Sequence, residues 1–278
     1  MTAALGALLT LSSAAIADPK VSVTPKLARP GDAVLVTVTG SKEPPKGEAL
    51  GSQLQFWKAK AKDSYQAVFA VPLDVSPKAI TVTVENAKLP GTVKVSPVTF
   101  PEAKVVVEEE MANPPKAERD RIDADNKAIL DALATAKGEP PQFTRSFQRP
   151  SGAISSTFGE WRTFNDGHRS QHLGLDLAAK EGAKIKAVNA GTVALVHDGF
   201  LTGNLVVISH GAGLASAYYH LSKTSVAVGD KVVQGAEIGL AGKTGRTTGA
   251  HLHVSVRVPG GFVDPARFFA LKLLPATK

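Results

Sequence analysis

The chain has 278 residues, 43% hydrophobic and 21% charged, and no cysteine. That leaves material for two domains, excludes disulfides and thiolate metal sites, and restricts any zinc site to histidine and carboxylate ligands. The net charge of +7 is uneven, because residues 1–141 carry 17 Lys+Arg and 17 Asp+Glu while residues 142–278 carry 15 and 8. A basic C-terminal half suits an anionic partner, and the lack of aromatic–basic interleaving there argues against nucleic acid.

In chain order, residues 1–17 come first. "MTAALGALLTLSSAAIA" is apolar or small, uncharged, and ends on an A-x-A site at Ala15 to Ala17. It reads as the core and cleavage site of a signal peptide that lacks a basic leader, so export to the periplasm or cell wall is expected. No later apolar run is long enough for a membrane span, and no transmembrane anchor is expected after cleavage.

Residues 18–110 read as all-β. "AVLVTVTG", "SYQAVFAV" and "AITVTVENA" are β-rich, "ARPGD" and "KLPGT" supply turns, and the region has no histidine. Short strands at this spacing predict a sandwich of immunoglobulin type. Residues 111–141 predict a connector helix and linker. Asn113 is placed as its cap, with Pro114 and Pro115 in the first turn, and Gly138 and Pro140 close it. Ile122, Ile129, Leu130 and Leu133 form a narrow apolar stripe, expected to pack on one domain.

Residues 142–278 return to glycine-punctuated strands and hold all seven histidines. The expected fold is therefore mainly β throughout, with a C-terminal antiparallel sheet domain. Side chains alternate faces along a strand. In "SQHLGLDLAA" this puts His172, Gly174 and Asp176 on one face and Leu173, Leu175 and Leu177 on the other. "SAYYHL" groups Ser216, Tyr218 and His220, with Tyr219 behind them. "GAHLHVSV" groups His251, His253 and Ser255 against an apolar back of Leu252, Val254 and Val256. Such faces can converge on one ion, with His172, Asp176 and one or both of His251 and His253 as ligands. Zinc held by two imidazoles and a carboxylate would lower a water's pKa towards about 7.

"HLGLD", "YYHLS", "VAVGDKVVQGAEIGLAGKTGRTTGAHLH" and "VDPARF" together resemble the LytM/lysostaphin-type zinc metallopeptidases over roughly residues 145–270. The resemblance implies a hybrid-barrel-like peptidase domain, one zinc ion per chain, and hydrolysis of peptidoglycan peptides. It implies His172, Asp176 and His253 as zinc ligands, His251 as general base, and His220 as the group that orients water or stabilises the oxyanion. Val254 and Ser255 depart from the aromatic–Glu pair common after H-L-H. Arg169 and Tyr218 are candidate substrate-binding residues, Arg169 through a stem-peptide carboxylate, with an exposed structural ion pair as its other reading. His168 is expected in a solvated loop, with a place lining the cleft as its other reading, and His197 and His210 are expected at the surface. "VAVGDKVVQGAEIG" is also similar to biotinyl/lipoyl carriers, but no lysine stands at a hairpin tip and the histidines would be unexplained. The alternative function is a non-catalytic cell-wall-binding or hydrolase-regulating module.

Overall fold

The computed structural model describes residues 18–74, 79–165 and 167–276. The expected signal peptide lies outside the described residues. Residues 20–95 form a two-sheet sandwich. Strands β1 (Ala33–Thr39) and β2 (Ser64–Ala70) pair antiparallel at the centre of a four-stranded sheet. A five-stranded sheet built around Ala79–Val84 faces it. Val34, Val36, Val38 and Phe69 meet Ile80, Val82 and Val93 between the sheets.

The outer face of the first sheet is buried too. Leu35, Val68 and Trp57 pack with Phe143, Phe147, Phe268 and Leu273 in a core continuous with the C-terminal sheet. Every residue of β2 is therefore buried, which explains its unbroken run of β-rich residues. Arg267 adds a tie: its Nε donates to Asp32 Oδ1 and its Nη2 to Asp32 Oδ2 at 2.8 Å, with Asp32 almost fully buried. Such a two-point carboxylate contact fixes orientation as well as contributing energy.

The end of the 18–110 segment pairs outside the sandwich. Strand β3 (Glu102–Val105) leaves the sandwich and pairs in parallel with β4 (Trp161–Phe164), which pairs antiparallel with β5 (Arg169–Gln171). A single helical turn, Glu109–Ala112, follows β3 and ends at Asn113. Helix α1 then runs Lys116–Ala134. Its N-cap is Pro115, with no side-chain cap, so Asn113 does not have the expected role. Asn113 instead donates from Nδ2 to Glu109 at 2.6 Å.

Most strands of the C-terminal half form one large antiparallel sheet. Its path runs from Ile154–Ser156 through β6 (Leu175–Ala178), β11 (His251–Val258), β9 (Leu214–Thr224), β8 (Gly203–Gly211) and β7 (Gly191–Gly199) to Lys231–Val232. The path stays open between its two end strands, which corrects the barrel-like expectation. Strand β9 changes partner along its length. It pairs with β11 over Ala215–Tyr219 and with β10 (Glu237–Ala241) over Leu221–Thr224. His220 stands at that switch with φ +61°, in the left-handed region.

Helix α1 buries Ile129, Ala132 and Leu133 against Leu205, Val207, Ala217 and Tyr219 of the sheet. A fully buried leucine such as Leu133 contributes roughly 2 kcal/mol. Leu130, expected in the same stripe, is half exposed. The helix is also pinned by a buried acid. Asp125 accepts from His197 Nε2 at 2.6 Å and from the Phe200 amide at 2.8 Å. His197 is thus part of the helix anchor, not a free surface group.

His210 and Tyr218 correct two further expectations. Both are fully buried. His210 Nδ1 lies 2.7 Å from Ala190 O, its Nε2 lies 2.8 Å from Ser216 Oγ, and Ser216 Oγ lies 3.0 Å from Tyr218 OH. Val188 N donates to that phenol at 2.8 Å. A carbonyl only accepts, so neutral His210 carries its proton on Nδ1, and the chain of hydroxyls satisfies every member. Tyr218 is held in this network beneath the sheet and cannot touch a substrate.

Burial pushes the His210 pKa down from 6.5 to about 4. The unfolded chain therefore binds a proton between about pH 6.5 and pH 4 that the folded chain refuses. Stability from this residue is complete above about pH 6.5 and falls as the pH drops through that window, by roughly 3 kcal/mol in all. Urea unfolding across this range is expected to show a shallower acid loss for His210→Gln than for the parent. Parallel curves would show that His210 is not the residue responsible.

Candidate metal and catalytic site

The site is assembled from strand register. Leu175 and Leu177 of β6 point into the core, which turns Asp176 to the opposite face. Pairing of β6 with β11 sets Asp176 opposite His253 and Ala178 opposite His251. Pairing of β9 with β11 sets Tyr219 opposite His253 from the other side. His172 belongs to no strand; it lies in the turn between β5 and β6, with its amide donating to Glu160 O at 2.8 Å. Leu173 is likewise outside the strand and partly exposed, so it is not a core anchor.

Three potential ligand atoms converge here. His172 Nε2 and Asp176 Oδ1 are 3.0 Å apart, His253 Nδ1 and Asp176 Oδ1 are 2.8 Å apart, and the two ring nitrogens are 2.9 Å apart. His172 and Asp176 are buried and His253 nearly so. The outer ring nitrogens are occupied. His172 Nδ1 lies 2.8 Å from Thr157 O, which can only accept. His253 Nε2 lies 3.0 Å from Ser255 Oγ, whose own proton goes to Leu173 O at 2.8 Å. Both outer nitrogens must therefore donate, and both inner nitrogens present lone pairs. Two imidazole nitrogens and one carboxylate oxygen on a common point fit a zinc ion with an open fourth position.

Asp176 uses its second oxygen elsewhere. Arg162 Nη2 donates to Oδ2 at 2.6 Å, and its Nε donates to Glu160 at 3.0 Å. Burial alone would raise the Asp176 pKa; the imidazoles of His172 and His253 packed against its carboxyl outweigh that and hold it well below the usual carboxylate range. Arg162 had no sequence signal. It sits in a plain strand segment, "WRTF", and only the pairing of β4 with β5 brings it beside the ligand loop.

His251 and His220 flank this centre, with ring centroids 5.0 Å apart. His251 Nδ1 lies 2.8 Å from Gly249 O, and its Nε2 lies 3.7 Å from Asp176 Oδ1. His220 Nδ1 lies 2.8 Å from Thr244 O. Each Nδ1 faces a carbonyl, so each neutral ring turns an unprotonated Nε2 outward. Burial, followed by the neighbouring His253 and His251, pushes the His220 pKa down to about 3. Burial pushes His253 down to about 4.

Strand alternation misplaces one residue. Tyr219, expected behind the sheet from His220, lies on the same side. Its ring meets His253 edge-on at 4.8 Å. The left-handed backbone at His220 breaks the period of two, so consecutive residues face the cleft together.

The cleft beside these groups has a volume of about 1390 Å³. Ile122, Asn126 and Leu130 of α1, with Val105 and Val107, form its far wall. The predicted connector is thus a wall of the site as well as a link. His168 also lines the cleft, stacked on Phe164 at 6.5 Å, and is exposed. Arg169 does not line it. Its Nη2 pairs with Glu102 at 2.5 Å and its guanidinium lies 4.5 Å from the centre of the Trp161 ring. Arg169 therefore takes the exposed ion pair that was its other reading.

Comparison with known proteins agrees with this geometry. The chain is 40% identical over 121 residues to the peptidoglycan DD-endopeptidase ShyA of Vibrio cholerae, covering 42% of this chain and 28% of that protein. It is 39% identical over 152 residues to the DD-carboxypeptidase/endopeptidase Mpg of Neisseria meningitidis, covering 51% and 31%. The chain thus spans about a third or less of these curated relatives. A crystal structure from Pseudomonas aeruginosa described as a peptidase M23 superposes with a TM-score of 0.66 at 27% identity, covering 86% of this chain and 94% of that one. Residues 170–265 match peptidase family M23, and the chain therefore carries a peptidase M23 domain.

Proposed function

We propose that this chain is a zinc-dependent endopeptidase that hydrolyses peptide cross-links or stem peptides of bacterial peptidoglycan. The convergence of His172, Asp176 and His253 on one point, with two further imidazoles beside it, carries the reading. The names of the relatives, peptidoglycan DD-endopeptidase and DD-carboxypeptidase/endopeptidase, supply the substrate class. A peptidoglycan substrate implies an exported location. Among the described residues no helix is long and apolar enough to cross a membrane.

His172 Nε2, Asp176 Oδ1 and His253 Nδ1 would hold the ion. When bound, zinc supplies Lewis-acid polarisation of the scissile carbonyl and makes water nucleophilic near neutral pH. His251 Nε2 takes the proton from the attacking water and returns it to the leaving amine. His220, neutral and with its proton on Nδ1, accepts a hydrogen bond from the same water and orients it. Stabilising an oxyanion would need a proton on Nε2, which that tautomer lacks, so orientation is the better-supported of its two expected roles. Arg162 fixes Asp176 so that one oxygen faces the imidazoles.

Mass spectrometry of fragments released from purified peptidoglycan tests the proposal. Soluble fragments with new amino termini, absent when a chelator is added, are expected. Release of no fragments by the chain reconstituted with zinc would overturn it in favour of the binding or regulatory module.

A further inference from the structure

Among the described residues, one guanidinium in the cleft has no anionic partner. Arg246 sits in the loop between β10 and β11, and lines the same cavity as His172, Asp176 and His251. The loop is held tightly. Arg246 N donates to Leu201 O at 2.8 Å, Thr244 Oγ1 donates to Leu221 O at 2.9 Å, and Thr244 O meets His220 Nδ1. Gly245, with φ +72°, lets the loop lie against this segment, since an added Cβ would stand 2.6 Å from Leu201 O. The guanidinium carbon lies 4.0 Å from the centre of the Phe164 ring, so the side chain is stacked in place.

The other two arginines near the ligand loop are neutralised. Arg162 is paired with Asp176 and Glu160, and Arg169 with Glu102. Among the described residues, no carboxylate lies within ion-pair distance of Arg246. Its pKa is pushed down to about 10 by burial and then by the charge of Arg162. A partly buried, unpaired cation on a stacked, pre-ordered side chain is costly to keep. It becomes favourable when an anion enters the cleft. A planar guanidinium with its face covered offers its edge as a fork, and that edge matches a carboxylate.

We propose that Arg246 forms a carboxylate-binding subsite, and that the chain selects peptides with a free carboxylate beside the scissile bond. The choice of a peptide as the carrier of that carboxylate rests on the peptidase reading above. The subsite lies on the rigid loop that also positions His220, so recognition and catalysis share one support.

The test uses the full chain and a matched pair of probes: a cross-linked peptide dimer from peptidoglycan, and the same dimer with its carboxylates amidated. Two readouts are taken, kcat/KM with zinc and calorimetric binding with the metal chelated. The parent chain is expected to prefer the acid by about 10- to 100-fold in both readouts. Arg246→Gln reduces that preference to about twofold or less. Arg246→Lys, which keeps the charge and loses the fork, falls between. Equal loss on both probes, or an unchanged preference in Arg246→Gln, overturns the subsite. If the parent cleaves neither probe, the peptidase reading fails, and binding then decides alone. Acid preference that disappears in Arg246→Gln supports the subsite, and absence of acid preference in binding overturns it.

Discussion

Replacing His253 with alanine is expected to remove stoichiometric zinc and abolish hydrolysis, whereas replacing His251 leaves zinc bound and still collapses turnover. The two residues are neighbours on one strand face, and the structure separates their surroundings. His253 Nδ1 lies 2.8 Å from Asp176 Oδ1, with its other nitrogen engaged by Ser255. His251 Nε2 stands back at 3.7 Å from the same oxygen, with its Nδ1 held by Gly249 O. Loss of one ligand of three leaves a two-point site, which no longer holds zinc against dialysis. Loss of a general base costs about 10²- to 10⁴-fold in turnover while the ligand set stays intact. Metal analysis by inductively coupled plasma mass spectrometry, beside steady-state rates on the same samples, checks both. Stoichiometric zinc in His253→Ala, or parental turnover in His251→Ala, would reverse the assignment.

The legible parts of this site were those set by local periodicity. The alternation in "GAHLHVSV" gave the facing of β11 directly, because its apolar residues all enter one core and its two histidines leave it together. The same rule failed on β9. There the register shifts at the junction of two partner strands, and the left-handed residue is a histidine, so no glycine marked the break. His220 reached the cleft although Tyr218, read as its companion, lies in the core and Tyr219 took the place beside it. His172 lies three residues before the strand that the alternation of "SQHLGLDLAA" assigns to it. Its position depends on backbone contacts with Gly159 and Glu160, which no local pattern encodes.

Charge was harder to read than periodicity. Three arginines lie near the ligands, and the sequence singled out the one that turned away. Arg169 is nearest to His172 in the chain, yet β5 directs it to Glu102 at the rim. Arg162 and Arg246 come from a strand and a loop far apart in sequence, and both line the folded cleft. The N-terminal half was legible as a sandwich through its β-rich runs, but not as a participant in the site. Strand β3 and helix α1 reach the cleft because β3 pairs with β4, a parallel pairing of residues about sixty apart in the chain.

Gly174→Ala is expected to weaken zinc binding by about 10- to 100-fold, although Gly174 offers no ligand atom. The residue lies in the turn that carries the chain from His172 to Asp176. An added Cβ would stand 2.8 Å from Val254 O and closer still to the imidazole of His253. The carbonyl belongs to the β6–β11 pairing and cannot yield without opening the register Leu175↔Val254. The ring cannot yield either, because Tyr219 closes its other side at 4.8 Å. The strain therefore falls on the His253 Nε2 to Ser255 contact and on the direction of Nδ1. A further cost of roughly 1–3 kcal/mol in stability is expected from the overpacking itself. Ser255→Ala separates the two causes, since it removes the acceptor for His253 Nε2 without adding bulk. Competition with a coloured chelator gives the zinc affinity of both variants, and thermal unfolding of the chelated chains gives the packing cost. A lowered affinity in both, with destabilisation confined to Gly174→Ala, is the expected pattern. Parental affinity in Gly174→Ala would mean that His253 does not bind the metal through the nitrogen facing Asp176.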